Sequence, residues 1–210
     1  MADYRLSLIG DDAVAIVPDE RRLRHPLARA LRETGLWIDV VPGKESVAVQ
    51  FDPGALLPSE ALESLAVWVE GFEAGDSPVP PTVDLHLDVS AACAPDLERL
   101  AEANGLSSAA LLDRVTNSRL SVDMLGFMPG FAYVEGVDAR LQAGRLTTPR
   151  QRVEAGSVGL VSGQLGLYAL AGPGGWPIIG RLAETLFDAT RETPFLLQAG
   201  QGIRLHLMDR

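Results

Sequence analysis

The 210-residue chain has one cysteine, Cys93, and one lysine, Lys44, so 17 of its 18 basic side chains are arginines. A single thiol excludes an internal disulfide framework, and with no secretory leader at the N-terminus the expected compartment is the reducing cytoplasm. Histidine is nearly as scarce: His25, His86 and His206 are widely spaced, and the last two fall on the polar side of strand-like alternations. That spacing predicts a solvated strand face rather than a metal site, and no metal ligand set or biotin site is expected. No run approaches the ~20 apolar residues of a membrane span. The net charge is −10, with no basic cluster longer than Arg21-Arg22-Leu23-Arg24. A polyanion would be repelled, so nucleic acid is excluded as a partner.

What is present is unevenly placed. Residues 1–80 carry seven basic and fourteen acidic side chains, whereas residues 126–210 carry eight and seven. Of 21 glycines, twelve lie between Gly126 and Gly180. Hydrophobic residues make up 47% and charged residues 22%, the balance of a globular chain able to bury a core.

The patterning predicts two domains of α/β class. In residues 1–75, strand-like segments at Arg5–Ile9, Ala13–Val17, Leu36–Val41 and Ser46–Phe51 alternate with two helices. The first runs over about 22–33 and stops at Gly35; the second opens at Pro58-Ser59-Glu60 with Ser59 as its N-cap. The Pro/Gly/Ser-rich stretch Gly75–Pro81 predicts a linker over residues 76–82. Residues 83–210 then open with the alternation Val83, Leu85, Leu87, Val89. Two short helices follow, the second capped by Ser107 or Ser108, and then short strands separated by Gly/Pro turns. That is the texture of a barrel or sandwich.

Familiar chemical motifs are missing. Gly43-Lys44-Glu45-Ser46 lacks the upstream glycine of a phosphate loop, and Gly172-Pro173-Gly174-Gly175 is not followed by Lys-Ser/Thr. Neither Ser157 nor Ser162 has the flanking glycines of a nucleophile elbow. What remains is a set of loops. Gly126-Phe127-Met128-Pro129-Gly130-Phe131 reads either as an apolar ligand wall or as an aromatic-cored turn. Arg150 and Arg152 read either as anion-holding forks or as a solvated surface pair. Gln164, Gly166 and Tyr168 share one strand face, and Trp176 in its glycine-rich loop and Arg181 complete the set.

Taken together, the run Gly126–Phe131, then Thr148-Pro149-Arg150, Ala155–Gly159, Gln164–Tyr168, Pro173–Trp176 and Ile179-Gly180-Arg181 resembles the family of allophanate hydrolase subunit 1. That family is also met as the B subunit of 5-oxoprolinase and as the KipI kinase inhibitor. Leu8–Val14 and the segment from Val41-Pro42 to Phe51-Asp52-Pro53 extend the resemblance over nearly the whole chain. It implies a small α/β N-terminal domain followed by a cyclophilin-like β-barrel. It further implies ATP use by a complex that opens 5-oxoproline to glutamate. The implied partners are a subunit 2 protein, like the C subunit of 5-oxoprolinase, and a third component of the LamB/YcsF type, its A subunit.

The alternative the family offers is a regulator that inhibits a histidine kinase. Two departures bear on catalysis: Ala92 lies where the family carries a glutamate, and Val115 where it carries a histidine. The residues expected to hold substrate are Arg150 and Arg181 as anion forks, Gln164 and Tyr168 as hydrogen-bonding groups, and Phe127, Phe131 and Trp176 as the apolar wall.

Overall fold

The structure, a computed structural model, describes residues 4–73 and 80–208. The chain divides into two compact units, residues 1–78 and 79–210. Residues 76–79 of the expected linker lie outside the described residues.

The first unit is a four-stranded antiparallel sheet of order β1-β2-β4-β3 with two helices. Its elements are β1 (Tyr4–Ile9), β2 (Ala13–Pro18), α1 (Arg24–Glu33), β3 (Asp39–Pro42), β4 (Val47–Gln50) and α2 (Pro58–Glu70). Alternate residues Val14 and Ile16 of β2, Val47 and Val49 of β4 and Val40 of β3 bury one face of the sheet. Leu27 and Leu31 of α1 and Ala61, Leu65 and Val69 of α2 meet them at helical spacing. Gly35, at φ +66°, follows α1 as the expected stop. The start of α2 differs from the expectation. Pro58, which has no N–H to satisfy, is the first helical residue, so Leu57 rather than Ser59 is the cap. The Glu60 carboxylate accepts the Leu57 N–H at 2.9 Å. The Gly43-Lys44-Glu45-Ser46 segment is a tight turn, Gly43 donating to the Ser46 carbonyl at 2.7 Å.

The second unit is a closed seven-stranded barrel of order β10-β7-β6-β13-β5-β12-β9. Its strands are β5 (Val83–Asp88), β6 (Leu120–Leu125), β7 (Ala132–Glu135), β9 (Ser157–Val161), β10 (Gln164–Leu167), β12 (Ile178–Leu182) and β13 (Gly202–Leu207). Between β5 and β6 come α3 (Leu97–Ala103) and α4 (Ser108–Thr116), and β8 (Arg150–Val153) pairs with β11 (Gly172–Gly174) as a separate ribbon. The mixed α/β class and the barrel agree with the expectation from sequence.

Inward side chains fill the barrel: Leu85 and Leu87, Val122, Val134, Val158 and Leu160, Leu165 and Leu167, Ile179, and Leu205. The same core continues into Leu111 and Val115 of α4. Ser107 caps α4, its hydroxyl accepting the Ala110 N–H at 3.1 Å. Among the described strands only β13 and β5 run parallel, with Arg204 opposite Asp84 and His206 opposite His86.

Candidate functional site

The β6–β7 connection is built by its sequence. Phe131 donates to the Met128 carbonyl at 3.1 Å across Pro129 and Gly130, and Gly130 has φ +75°, as the third position of a type II turn demands. Gly126 donates to the Phe131 carbonyl at 3.1 Å and closes the loop. Phe127 is the one non-glycine residue with positive φ among those described, at +74°, and it is 62% exposed. A bulky side chain in that region is strained by about 1–3 kcal/mol. It borders a groove of about 420 Å³ lined by residues Leu125 to Gly130 and by Phe195.

Behind Phe127 the aromatics are core. Phe131 is buried and meets Phe127, Tyr133 and Tyr168 edge-on, with centroids 5.4, 4.8 and 5.0 Å away. These rings lie on the outer face of the barrel wall, because Ala132 and Val134 of β7 and Leu165 and Leu167 of β10 point inward. Trp176 is buried against two paired glycines, Gly159 and Gly166. A Cβ on Gly166 would come 2.9 Å from Phe131 Cζ and 3.0 Å from the indole, and one on Gly159 2.8 Å from Trp176 Cβ. Glycine here makes the flat seat the indole needs. Tyr168 is 2% exposed; burial pushes its hydroxyl pKa up against the opposing hydrogen bond from the Trp176 backbone N–H. Of the expected apolar wall, Phe127 alone is presented to solvent, while Phe131 and Trp176 support it from inside.

The arginines are placed differently from one another. Arg150 faces an internal carboxylate: its Nη2 donates to Asp96 Oδ1 at 2.9 Å, and Nη1 lies 2.9 Å from Oδ2 without hydrogen-bond alignment. Asp96 is buried and also accepts the Ile178 N–H at 2.7 Å, while its own N–H donates to the Ile178 carbonyl. Burial works to raise the Asp96 pKa, but the Arg150 and Ile178 hydrogen bonds and the charges of Arg150 and Arg99 hold it below the usual value. Arg152 pairs with Glu154 at 2.7 Å on the surface.

Arg181, on β12, forms no ion pair within 4 Å among the described residues, and its Nε is buried without a hydrogen-bond partner. Asp88, its cross-strand neighbour, and Glu154 feel its charge from farther off. Gln164 is half-buried at the far end of β10 opposite Glu135, apart from Tyr168. The aromatics thus form one contiguous set and Arg150 acts on Tyr168 through its charge. Gln164 and Arg181 lie at other strand ends.

Asp96 is the residue that sequence reasoning missed, because Pro95-Asp96-Leu97 reads only as a helix start. The signal available was an acid at the head of a seven-residue helix whose side chain caps nothing in it. At the departing positions, Ala92 is exposed in a turn and Val115 is fully buried in the barrel core. Neither carries a titratable group. Among the described residues no three or more His, Cys, Asp or Glu side chains converge as a metal cluster, and no helix is long and apolar enough to cross a membrane.

Comparison with known proteins adds four findings. The family model of the carboxyltransferase domain, subdomain C and D, matches residues 4–197. The 5-oxoprolinase B subunit of Escherichia coli O157:H7 is 33% identical over 211 residues, covering 97% of this chain and 96% of the relative. That of Bacillus subtilis is 31% identical over 223 residues, covering 96% and 91%. Among solved structures, TTHA0988 superposes with a TM-score of 0.80 at 28% identity over the whole of this chain. This chain spans 40% of TTHA0988.

Proposed function

The chain belongs to the family of the carboxyltransferase domain, subdomain C and D, and from that membership we propose that it works as one component of a 5-oxoprolinase-type hydrolase. The reaction is hydrolysis of a lactam amide to an amino acid, driven by ATP, in a complex with a subunit 2 partner and a LamB/YcsF-type third component. Of the two segments weighed as phosphate loops, Gly43–Ser46 is a tight turn and Gly172–Gly174 is strand β11, and the nucleotide is assigned to a partner.

The observation that carries the reading is Arg181. A guanidinium with a buried, unsatisfied Nε and no ion pair among the described residues is poised for an anion, and the carboxylate of 5-oxoproline matches its fork. Arg150, already engaged by Asp96, shapes the site around Tyr168 instead of gripping ligand. Phe127 supplies an exposed apolar surface, and Gln164, at the far end of β10, lies outside this group. With Ala92 and Val115 inert, proton transfer falls to groups from the partner subunits.

The test is 5-oxoproline-dependent ATP hydrolysis by the reconstituted complex. Arg181→Ala raises the apparent KM for 5-oxoproline at least tenfold while the complex still assembles. A complex with no turnover, or an Arg181→Ala variant with unchanged KM, overturns the reading.

A further inference from the structure

His86 and His206 are 120 residues apart in sequence and side by side in space. Parallel pairing of β5 and β13 sets them opposite each other on the outer face of the barrel, with ring centroids 5.5 Å apart and planes 28° from parallel. Both are well exposed, 54% and 44% by side chain. Each ring is braced by its own carboxylate. His86 Nδ1 lies 2.7 Å from Glu184 Oε1, and His206 Nε2 lies 2.6 Å from Asp84 Oδ1. Glu184 is itself fixed, accepting the His86 backbone N–H at 3.0 Å.

These contacts orient the rings. A carboxylate can only accept, so each ring donates an N–H from the nitrogen that faces its acid. His86 Nε2 and His206 Nδ1 are the nitrogens turned away from Glu184 and Asp84, with no hydrogen-bond partner among the described residues.

We propose that this pair is a binding site for a borderline divalent transition ion of the Zn²⁺ class, held by His86 Nε2 and His206 Nδ1 with water completing the coordination. The spacing fits. With Zn–N bonds of ~2.0–2.1 Å and ring centres set back roughly 1.2 Å behind each nitrogen, a tetrahedral ion holds two imidazole centroids roughly 5.3 Å apart. A carboxylate on the other ring nitrogen is the usual outer partner of a metal-bound histidine, where it fixes the ring and raises its basicity. Charge agrees: Asp84 and Glu184 outweigh Arg204, whose Nη1 is 3.2 Å from Asp84. Arg181 lies nearby, cross-strand from Asp88, two residues along β5 from His86, but the pair needs neither Arg181 nor the hydrolase reading.

The metal-free full chain is titrated with Zn²⁺ against a chromophoric chelator at pH 7.5, with the imidazole signals followed by NMR. One Zn²⁺ binds per chain, and only the His86 and His206 rings shift. His86→Ala and His206→Ala each weaken binding at least a hundredfold. Glu184→Gln and Asp84→Asn weaken it about tenfold by unbracing the rings. Cys93→Ser leaves it unchanged. No uptake by the wild-type chain, uptake that survives the double His86→Ala/His206→Ala change, or loss in Cys93→Ser overturns the proposal.

Discussion

Asp96 and Arg150 stand 54 residues apart and hold each other through two contacts of 2.9 Å. Asp96 heads α3 and also pairs through both its backbone and its carboxylate with Ile178 of β12, while Arg150 opens β8. One buried carboxylate therefore joins a helix, a barrel strand and the β8–β11 ribbon. The cost of losing it is asymmetric. Asp96→Ala strands the buried Ile178 N–H as well as the guanidinium, and is expected to destabilise by about 2–4 kcal/mol. Arg150→Met leaves Asp96 one strong partner and costs less. Urea unfolding of both variants and of the double variant measures the coupling.

The same carboxylate makes stability depend on acid. The folded pKa of Asp96 lies below its unfolded value of about 3.9, so its contribution is complete above that pH and is lost as the pH falls through the folded value. Asp138 behaves alike and more clearly. Its carboxylate hydrogen-bonds the Arg140 side chain and backbone, which lowers its pKa to about 2. Its share is lost between about pH 4 and pH 2. Acid unfolding followed by circular dichroism should show a shallower fall in stability over that window for Asp138→Asn than for the wild type.

Phe127 should be dispensable for folding. Replacement by glycine removes an edge contact with Phe131 but also releases the positive-φ strain. The two effects oppose each other, so Phe127→Gly is expected to change stability by no more than about 1 kcal/mol. Under the proposal that the exposed ring meets ligand or partner, activity of the complex should fall well beyond what that stability change explains. Thermal unfolding and turnover measured on one preparation separate the two.

Trp176 and Gly166 should behave in the opposite way. Trp176→Ala empties a buried seat and is expected to cost about 3–5 kcal/mol. Gly166→Ala drives a methyl against Phe131 and the indole and is expected to cost about 1–3 kcal/mol. Denaturant midpoints of both variants test whether these residues act as core.

Much of this architecture was legible one element at a time. The alternation of Val83, Leu85 and Leu87, the Ser107 cap and the Pro129-Gly130 turn are local matters of period two, side-chain capping and backbone preference, and each appears where its residues dictate. The Ser59 cap failed because Pro58 occupies the first helical position. The short strands at Ala132–Glu135 and Gly172–Gly174 escaped notice because four- and three-residue strands carry almost no periodic signal. The aromatic and glycine loops were recognised as a group, but their type could not say which rings face solvent. Trp176 and Phe131 are inside only because Gly159 and Gly166 pair on adjacent strands beneath them.

The sequence by itself determined the two α/β parts, the helix and turn boundaries within a few residues, the absence of an internal disulfide, and the family likeness. All of these depend on residue type and near-neighbour spacing. Only the tertiary structure decided which charged groups meet. Arg150 pairs with Asp96, and Arg181 forms no ion pair among the described residues. His86 and His206, scattered when read along the chain, stand together because closing the barrel requires β13 to lie parallel to β5. Electrostatics depends on distance in space, and pairing strands 120 residues apart sets that distance without leaving any local mark on either strand.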